Sequence, residues 1–151
     1  MDFQPPQSED EPAGSVATGP TILVVDDHKA VRDTLKHVLE GSGFRVITAD
    51  SGPCAIAVAS GEFIDGALID VQMQGMNGFE CHRRIQDEKG PFRVWFMAGA
   101  PSKEITHAVS ASGAIGLLPK PFDLPSLLAT LRDGLAAPIP SPAQIERKAE
   151  E

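Results

Sequence analysis

Short apolar runs alternate along this chain with stretches in which apolar residues return every three or four positions. The runs are Thr21-Ile22-Leu23-Val24-Val25, Arg45-Val46-Ile47-Thr48-Ala49, Ala67-Leu68-Ile69, Val94-Trp95-Phe96-Met97 and Ala114 to Leu118. The unbroken apolar character of the fourth predicts a strand buried on both faces. Val31, Leu35, Val38 and Leu39 recur at i, i+4, i+7 and i+8, one face of a helix that Gly41 and Gly43 stop. Pro53 to Ala59 predicts a short alanine-rich helix ended by Gly61. Gly78 to Glu88 predicts the next, broken by Gly90-Pro91. Ser102 is placed to cap a helix running to Ser112, closed by Gly113. Asp123 is placed to cap the last helix, with Leu124, Leu127, Leu128, Leu131 and Leu135 on one stripe. Five strands alternating with five helices predict an α/β fold, a doubly wound parallel sheet covered on both faces.

Composition sets the bounds of that fold. The 151 residues are 42% hydrophobic, enough for one domain with a core. Residues 1 to 20 are rich in Pro, Gly, Ser, Gln and acids, with Met1, Phe3 and Val16 the large apolar side chains. Such a stretch cannot bury enough to order itself and is expected to be a disordered tail. Residues 137 to 151 begin Ala-Pro-Ile-Pro-Ser-Pro and end in mixed charge, predicting a flexible tail, so the folded domain is expected over 21–136. A tail that short leaves no room for a helix-turn-helix after Leu135, and the chain is expected to act as a stand-alone domain. The formal charge of -8 argues against a general nucleic-acid surface, and no specific DNA partner is expected. No run approaches the roughly 18 apolar residues of a membrane span, and no leader pattern opens the chain. Cys54 and Cys81 lack CxxC spacing and read as reduced structural thiols of a cytoplasmic protein.

The chemistry concentrates at the ends of three runs. Asp26 and Asp27 follow the first, Asp70 the third, and Lys120 stands just past the fifth. In an open parallel sheet, ligands gather at the carboxyl ends of the strands where the strand order reverses. Three carboxylates would meet there, and two of them 4 Å apart repel by about 4 kcal/mol at an effective dielectric of 20. A hard, oxygen-seeking cation such as Mg²⁺ is the natural neutraliser. Lys120 is then left to hold an anion arriving from outside. His28, His37, His82 and His107 are dispersed without ligand spacing and read as surface or packing residues. Arg83-Arg84 reads as a solvated charge on a helix. Trp95 and Phe96 read as core, with Trp95 close enough to Ala98 to report on the pocket by fluorescence.

These pieces, in order Ile22-Leu23-Val24-Val25-Asp26-Asp27, Leu68-Ile69-Asp70-Val71-Gln72-Met73, Gly75-Met76-Asn77-Gly78 and Lys120-Pro121-Phe122, resemble the receiver domain of bacterial response regulators. The resemblance runs from about Thr21 to Leu135. It implies a flavodoxin-like fold with strand order 2-1-3-4-5. It further implies that Asp70 accepts a phosphoryl group from a sensor histidine kinase or phosphotransfer protein and that a downstream protein reads the result. Asp26, Asp27 and Asp70, with the Gln72 backbone carbonyl, would hold Mg²⁺, and Lys120 would pair with a phosphoryl oxygen. The Lys120-Pro121 bond would be cis.

The departures from the family pattern are as specific. The family carries Thr or Ser at the end of the fourth strand, where this chain has Ala98, 22 residues before Lys120. Its aromatic switch position is Leu117, and the Pro often found four residues after the acceptor is Gln74. Gly99 should leave the pocket open to water. A second reading follows, a degenerate receiver that binds or antagonises a partner without phosphorylation. An enzyme fits poorly. A haloacid-dehalogenase-type phosphatase needs an acid two residues after its nucleophile, and that position is Gln72. A flavodoxin needs a phosphate loop after its first strand, where Asp26-Asp27-His28 would repel phosphate.

Overall fold

The computed structural model describes residues 19–139. Five strands and five helices alternate: β1 Thr21–Val25, α1 Lys29–Gly41, β2 Arg45–Ala49, α2 Gly52–Gly61, β3 Gly66–Asp70, α3 Gly78–Lys89, β4 Arg93–Ala98, α4 Lys103–Ser112, β5 Gly116–Pro119 and α5 Leu124–Ala136. The strands form one sheet in the order β2-β1-β3-β4-β5. Every pairing is parallel, with Val25 opposite Ala49 and Ile69, Asp70 opposite Met97, and Ala98 opposite Pro119. The carboxyl ends of all five strands therefore share one edge. The order reverses between β1 and β3, so the residues that end those two strands flank the switch point.

The sheet separates two apolar layers. Leu23, Val25, Ala67, Ile69, Phe96 and Ala98 face a cluster completed by Ala55, Ala59, Cys81, Ile85 and Val109 from α2, α3 and α4. Ile22, Val24, Leu68, Trp95 and Met97 face the other, completed by Leu35 and Leu39 of α1 and Leu127 and Leu131 of α5. All five residues of β1 and of β3 are buried, as strands covered on both faces require. Cys54 and Cys81 are free, and burial pushes the Cys81 thiol up to about 11.

Ser102 caps α4 through the Ile105 N–H, and Gly113 ends the helix at φ 84, both at the expected positions. Three expectations need correction. β5 starts at Gly116 rather than Ala114. The Ser112 hydroxyl oxygen accepts the Ala114 N–H, which prolongs the turn after α4 before pairing begins. Asp123 precedes α5, but its side chain caps no backbone N–H. Pro125 removes one donor of the first turn, and the Asp123 carboxylate accepts the Ser126 hydroxyl instead. Trp95 faces α5, away from Ala98; a Cβ added at Gly134 would sit 2.2 Å from its ring. The indole therefore reports on the α5 layer and not on the pocket.

Contacts extend slightly past both ends of the 21–136 span. The Pro20 carbonyl accepts the Arg45 N–H, and Arg93 donates to the carbonyls of Gly134 and Ala137. The rest of the two expected tails, residues 1–18 and 140–151, lies outside the described residues. Among the described residues, no helix is long and apolar enough to cross a membrane.

Candidate functional site

β1 delivers Asp26 to the carboxyl edge of the sheet, β3 delivers Asp70, and the turn after β5 delivers Lys120. Asp26 is fully buried, Asp70 is 3% exposed, and both carboxylates reach the same ammonium. Lys120 Nζ lies 2.7 Å from Asp26 Oδ2 and 3.4 Å from Asp70 Oδ2. The Lys120 N–H donates to the Ala98 carbonyl at 2.9 Å, which ties the turn to the end of β4. The Lys120–Pro121 bond is cis, as the resemblance implied.

Backbone donors fix the carboxylates. The Gln72 N–H donates to Asp70 Oδ1 at 3.3 Å, and the His28 N–H to Asp26 Oδ1 at 2.9 Å. Arg32 reaches back from α1 to the Asp26 carbonyl at 2.8 Å. Asp27 Oδ2 accepts the Gln74 N–H at 3.2 Å. A proline at position 74 would have no N–H to give, so this departure from the family pattern supplies a contact. Burial, then the Asp26 charge, raises the Asp70 carboxyl above its ordinary range, and Lys120 opposes both.

Asp27 Oδ1 is buried and accepts no aligned hydrogen bond, with His28 Nδ1 3.1 Å away as an ion-pair neighbour. One donor atom each from Asp26, Asp27, His28 and Asp70 can be chosen so that all lie within 4.8 Å of one another. Three carboxylates against one ammonium leave two formal negative charges uncompensated. That charge excess and that spacing fit a divalent cation.

Asp26, Asp27, Asp70 and Lys120 thus come together as the sequence suggested. Ala98 ends β4 beside them, its methyl buried in the core cluster with Leu117 packed against it. Gly99 is exposed, with open space around its Cα. Two participants were missed. His28 joins the acidic group although its sequence position shows no ligand spacing; its adjacency to Asp27 was the signal available. The Gln74 N–H is a backbone group and leaves no mark in a sequence. The other histidines stay apart. His82 is buried against Phe92 and Phe96, and burial lowers its imidazole to about 4.

Comparison with known proteins agrees with this geometry. The sequence matches the family model described as Response regulator receiver domain over residues 22–132. The DNA-binding transcriptional regulator NtrC of Rhizobium meliloti (strain 1021) is 35% identical over 132 residues, covering 85% of this chain and 27% of that protein. The transcriptional regulatory protein YvrH of Bacillus subtilis (strain 168) is 36% identical over 113 residues, covering 74% of this chain and 47% of that protein. The chain therefore spans half or less of the length of these two relatives. Among solved structures, the chemotaxis protein CheY4 of Vibrio cholerae superposes with a TM-score of 0.72 at 32% identity, covering 76% of this chain and 97% of that one. A CheY-like receiver domain protein of Methanospirillum hungatei JF-1 gives a TM-score of 0.74 at 27% identity, covering 78% and 94%. The family match runs from β1 into α5 and takes in every residue of the acidic pocket, and the chain belongs to the response regulator receiver domain family of two-component signalling.

Proposed function

We propose that Asp70 accepts a phosphoryl group from a histidine kinase or phosphotransfer protein and that the phosphorylated domain signals by protein contact. The observation that carries this reading is the Asp70 carboxylate at the end of the central strand, beside Asp26 and 3.4 Å from the Lys120 ammonium. An Asp70 oxygen attacks phosphorus, a P–O bond forms, and the P–N bond of the phosphohistidine breaks. The imidazole leaves with the electron pair and takes up a proton. Burial helps here, because a carboxylate raised in basicity is a stronger nucleophile. Asp26, Asp27 and Asp70, with the Gln72 carbonyl, would hold Mg²⁺, whose charge offsets that of the phosphoryl oxygens. Lys120, 2.7 Å from Asp26, would pair with one of those oxygens.

A groove of about 510 Å³ opens beside Lys120, lined by Ala30, Val31, Thr34, Pro121, Phe122 and Leu124. Its apolar lining next to the pocket suits the face of a helix carrying the donor histidine. The test is incubation of the protein with acetyl phosphate and Mg²⁺, read by intact mass. The expected result is a gain of one phosphoryl group in the native chain and none in Asp70→Asn. A gain that survives Asp70→Asn overturns the assignment.

Ala98 favours a second reading, a phosphorylation-independent binding module. Its buried methyl occupies the position where the family places a hydroxyl. Partner affinity that is equal with and without acetyl phosphate treatment is the result this reading expects.

A further inference from the structure

At the amino edge of the sheet, opposite the acidic pocket, two apolar side chains face solvent. Phe63, in the α2–β3 loop, is 74% exposed, and Ile139, just past α5, is 46% exposed. They are the two most exposed large apolar side chains among the described residues. Both line one groove of about 370 Å³, together with Ile64, Asp65, Lys89 and Arg93. Backbone carbonyls fix the two cations of this groove without neutralising them. Lys89 Nζ donates to the carbonyls of Ala59 at 2.6 Å and Glu62 at 3.0 Å, and Arg93 Nη2 donates to that of Ala137 at 2.6 Å. Among the described residues neither cation forms an ion pair, and the Glu62 carboxylate turns to Arg45 instead. Asp65 is already engaged, since its Oδ2 accepts the Thr21 N–H at 2.7 Å. The groove thus sets an exposed aromatic ring beside two uncompensated cations, on a chain of formal charge -8.

We propose that the acidic amino-terminal segment of this chain, residues 1–18, docks in this groove, with Phe3 against Phe63 and Ile139 and the carboxylates of Glu9, Asp10 and Glu11 beside Lys89 and Arg93. The segment matches the groove in charge and in apolar content. It holds the acids Asp2, Glu9, Asp10 and Glu11, no Lys or Arg, and one aromatic residue, Phe3. It also joins the fold at the groove. Gly19 and Pro20 lead into Thr21, whose N–H and carbonyl both bond to Asp65. Fully extended, the segment reaches about 60 Å, whereas neighbouring strands lie about 4.8 Å apart, so its length does not limit it. A second copy is the poorer occupant, because two chains of like net charge repel, whereas a tether raises the local concentration to the millimolar order. Residues 140–151 carry Arg147 and Lys148 among their acids and complement the two cations less well. A stretch that cannot order itself can do so on a surface that supplies its apolar and charged partners. The groove lies at the other edge of the sheet from the acidic pocket, and the proposal does not depend on how that pocket is read.

The experiment is NMR on the full-length, isotope-labelled chain. It compares the native protein with Phe3→Ala, with Phe63→Ala, and with the triple substitution Glu9→Gln, Asp10→Asn and Glu11→Gln. The native chain is expected to show direct proton–proton contacts from the Phe3 ring to Phe63 and Ile139. Phe3→Ala and the triple variant should each move the amide resonances of Ile64, Asp65, Lys89 and Arg93 and leave those of Asp70 and Lys120 in place. Raising NaCl from about 0.1 M to about 1 M shortens the screening length from about 10 Å to about 3 Å and should move the same groove amides toward their positions in the triple variant. Phe63→Ala should abolish the Phe3 contacts while the buried Trp95 keeps its native resonance, which establishes that the variant remains folded. Unmoved groove amides in Phe3→Ala, or no contact from the Phe3 ring, overturn the proposal. Contacts from Ile145 in place of Phe3 give the groove to the other terminal segment, and contacts that grow with protein concentration give it to a second copy; either result overturns the proposal as well.

Discussion

Burial is the largest influence on the Asp70 carboxyl, the Asp26 charge adds to it, and Lys120 opposes both. The folded protein consequently holds the Asp70 proton to higher pH than the unfolded chain does. In the interval above the ordinary value of 3.8, the folded state binds more protons, so stability falls as pH rises through it. Asp70→Asn removes that ionisation. In metal-free buffer at pH 7 the variant is expected to unfold at a higher urea midpoint than the native chain. The gain should shrink as pH falls toward 3.8 and be gone below it, where Asp70 is protonated in both states. An equal or lower midpoint at pH 7 contradicts the argument. Residues of this kind were legible in the sequence because each acid and Lys120 terminates or closely follows an apolar run. The His28 ring and the Gln74 N–H were not, because a bend in the β1–α1 loop and a backbone donor decide their roles.

Two glycines set how closely helices approach the sheet, and they separate site from scaffold. A Cβ added at Gly78, the first residue of α3, would lie 2.2 Å from the Asp70 carbonyl oxygen. A Cβ added at Gly134, in α5, would lie 2.2 Å from the Trp95 ring. Either methyl forces an element outward, at a cost of about 1–3 kcal/mol. Gly78→Ala is expected to lower stability by that amount and also to slow acetyl phosphate labelling, because the shift falls on the peptide of Asp70, the proposed acceptor. Gly134→Ala should cost as much, change Trp95 emission and leave the labelling rate unaltered. Equal labelling rates in both variants would refute the distinction. At this scale the elements themselves were readable from their apolar stripes, and Ser102 and Gly113 marked α4 at both ends. The packing of Gly134 on Trp95 was not readable, since it depends on how α5 crosses a strand distant in sequence. The start of β5 slipped for a related reason: the Ser112 hydroxyl decides where the turn releases the chain.

Across the whole molecule, the pocket connects to the α4–β5 surface through the end of β4. The Ala98 carbonyl accepts the Lys120 N–H, Ala98 lies opposite Pro119, and Phe96 lies opposite Leu117. Alternation alone pointed to a parallel sheet covered on both faces and the strand order came with the receiver resemblance, while the strength of this connection depends on a single side chain. A hydroxyl at position 98 could donate to a phosphoryl oxygen, whereas the Ala98 methyl cannot. The phosphorylated state then lacks one charge-assisted hydrogen bond, roughly 1.5–3 kcal/mol of differential stabilisation. Leu117 offers no ring to exchange between buried and exposed positions. An equilibrium between two conformations shifts only by the difference in their interaction with the ligand. Phosphorylation of the native chain is therefore expected to move amide resonances near the pocket and to leave those of Leu117 and of Lys103 to His107 nearly in place. Ala98→Thr should enlarge the shifts at Leu117 and Lys103 to His107, with a thermal melt establishing that the variant remains folded. Large shifts there in the native protein, with no increase in Ala98→Thr, would show that the signal leaves the pocket by a route that does not need a hydroxyl at position 98.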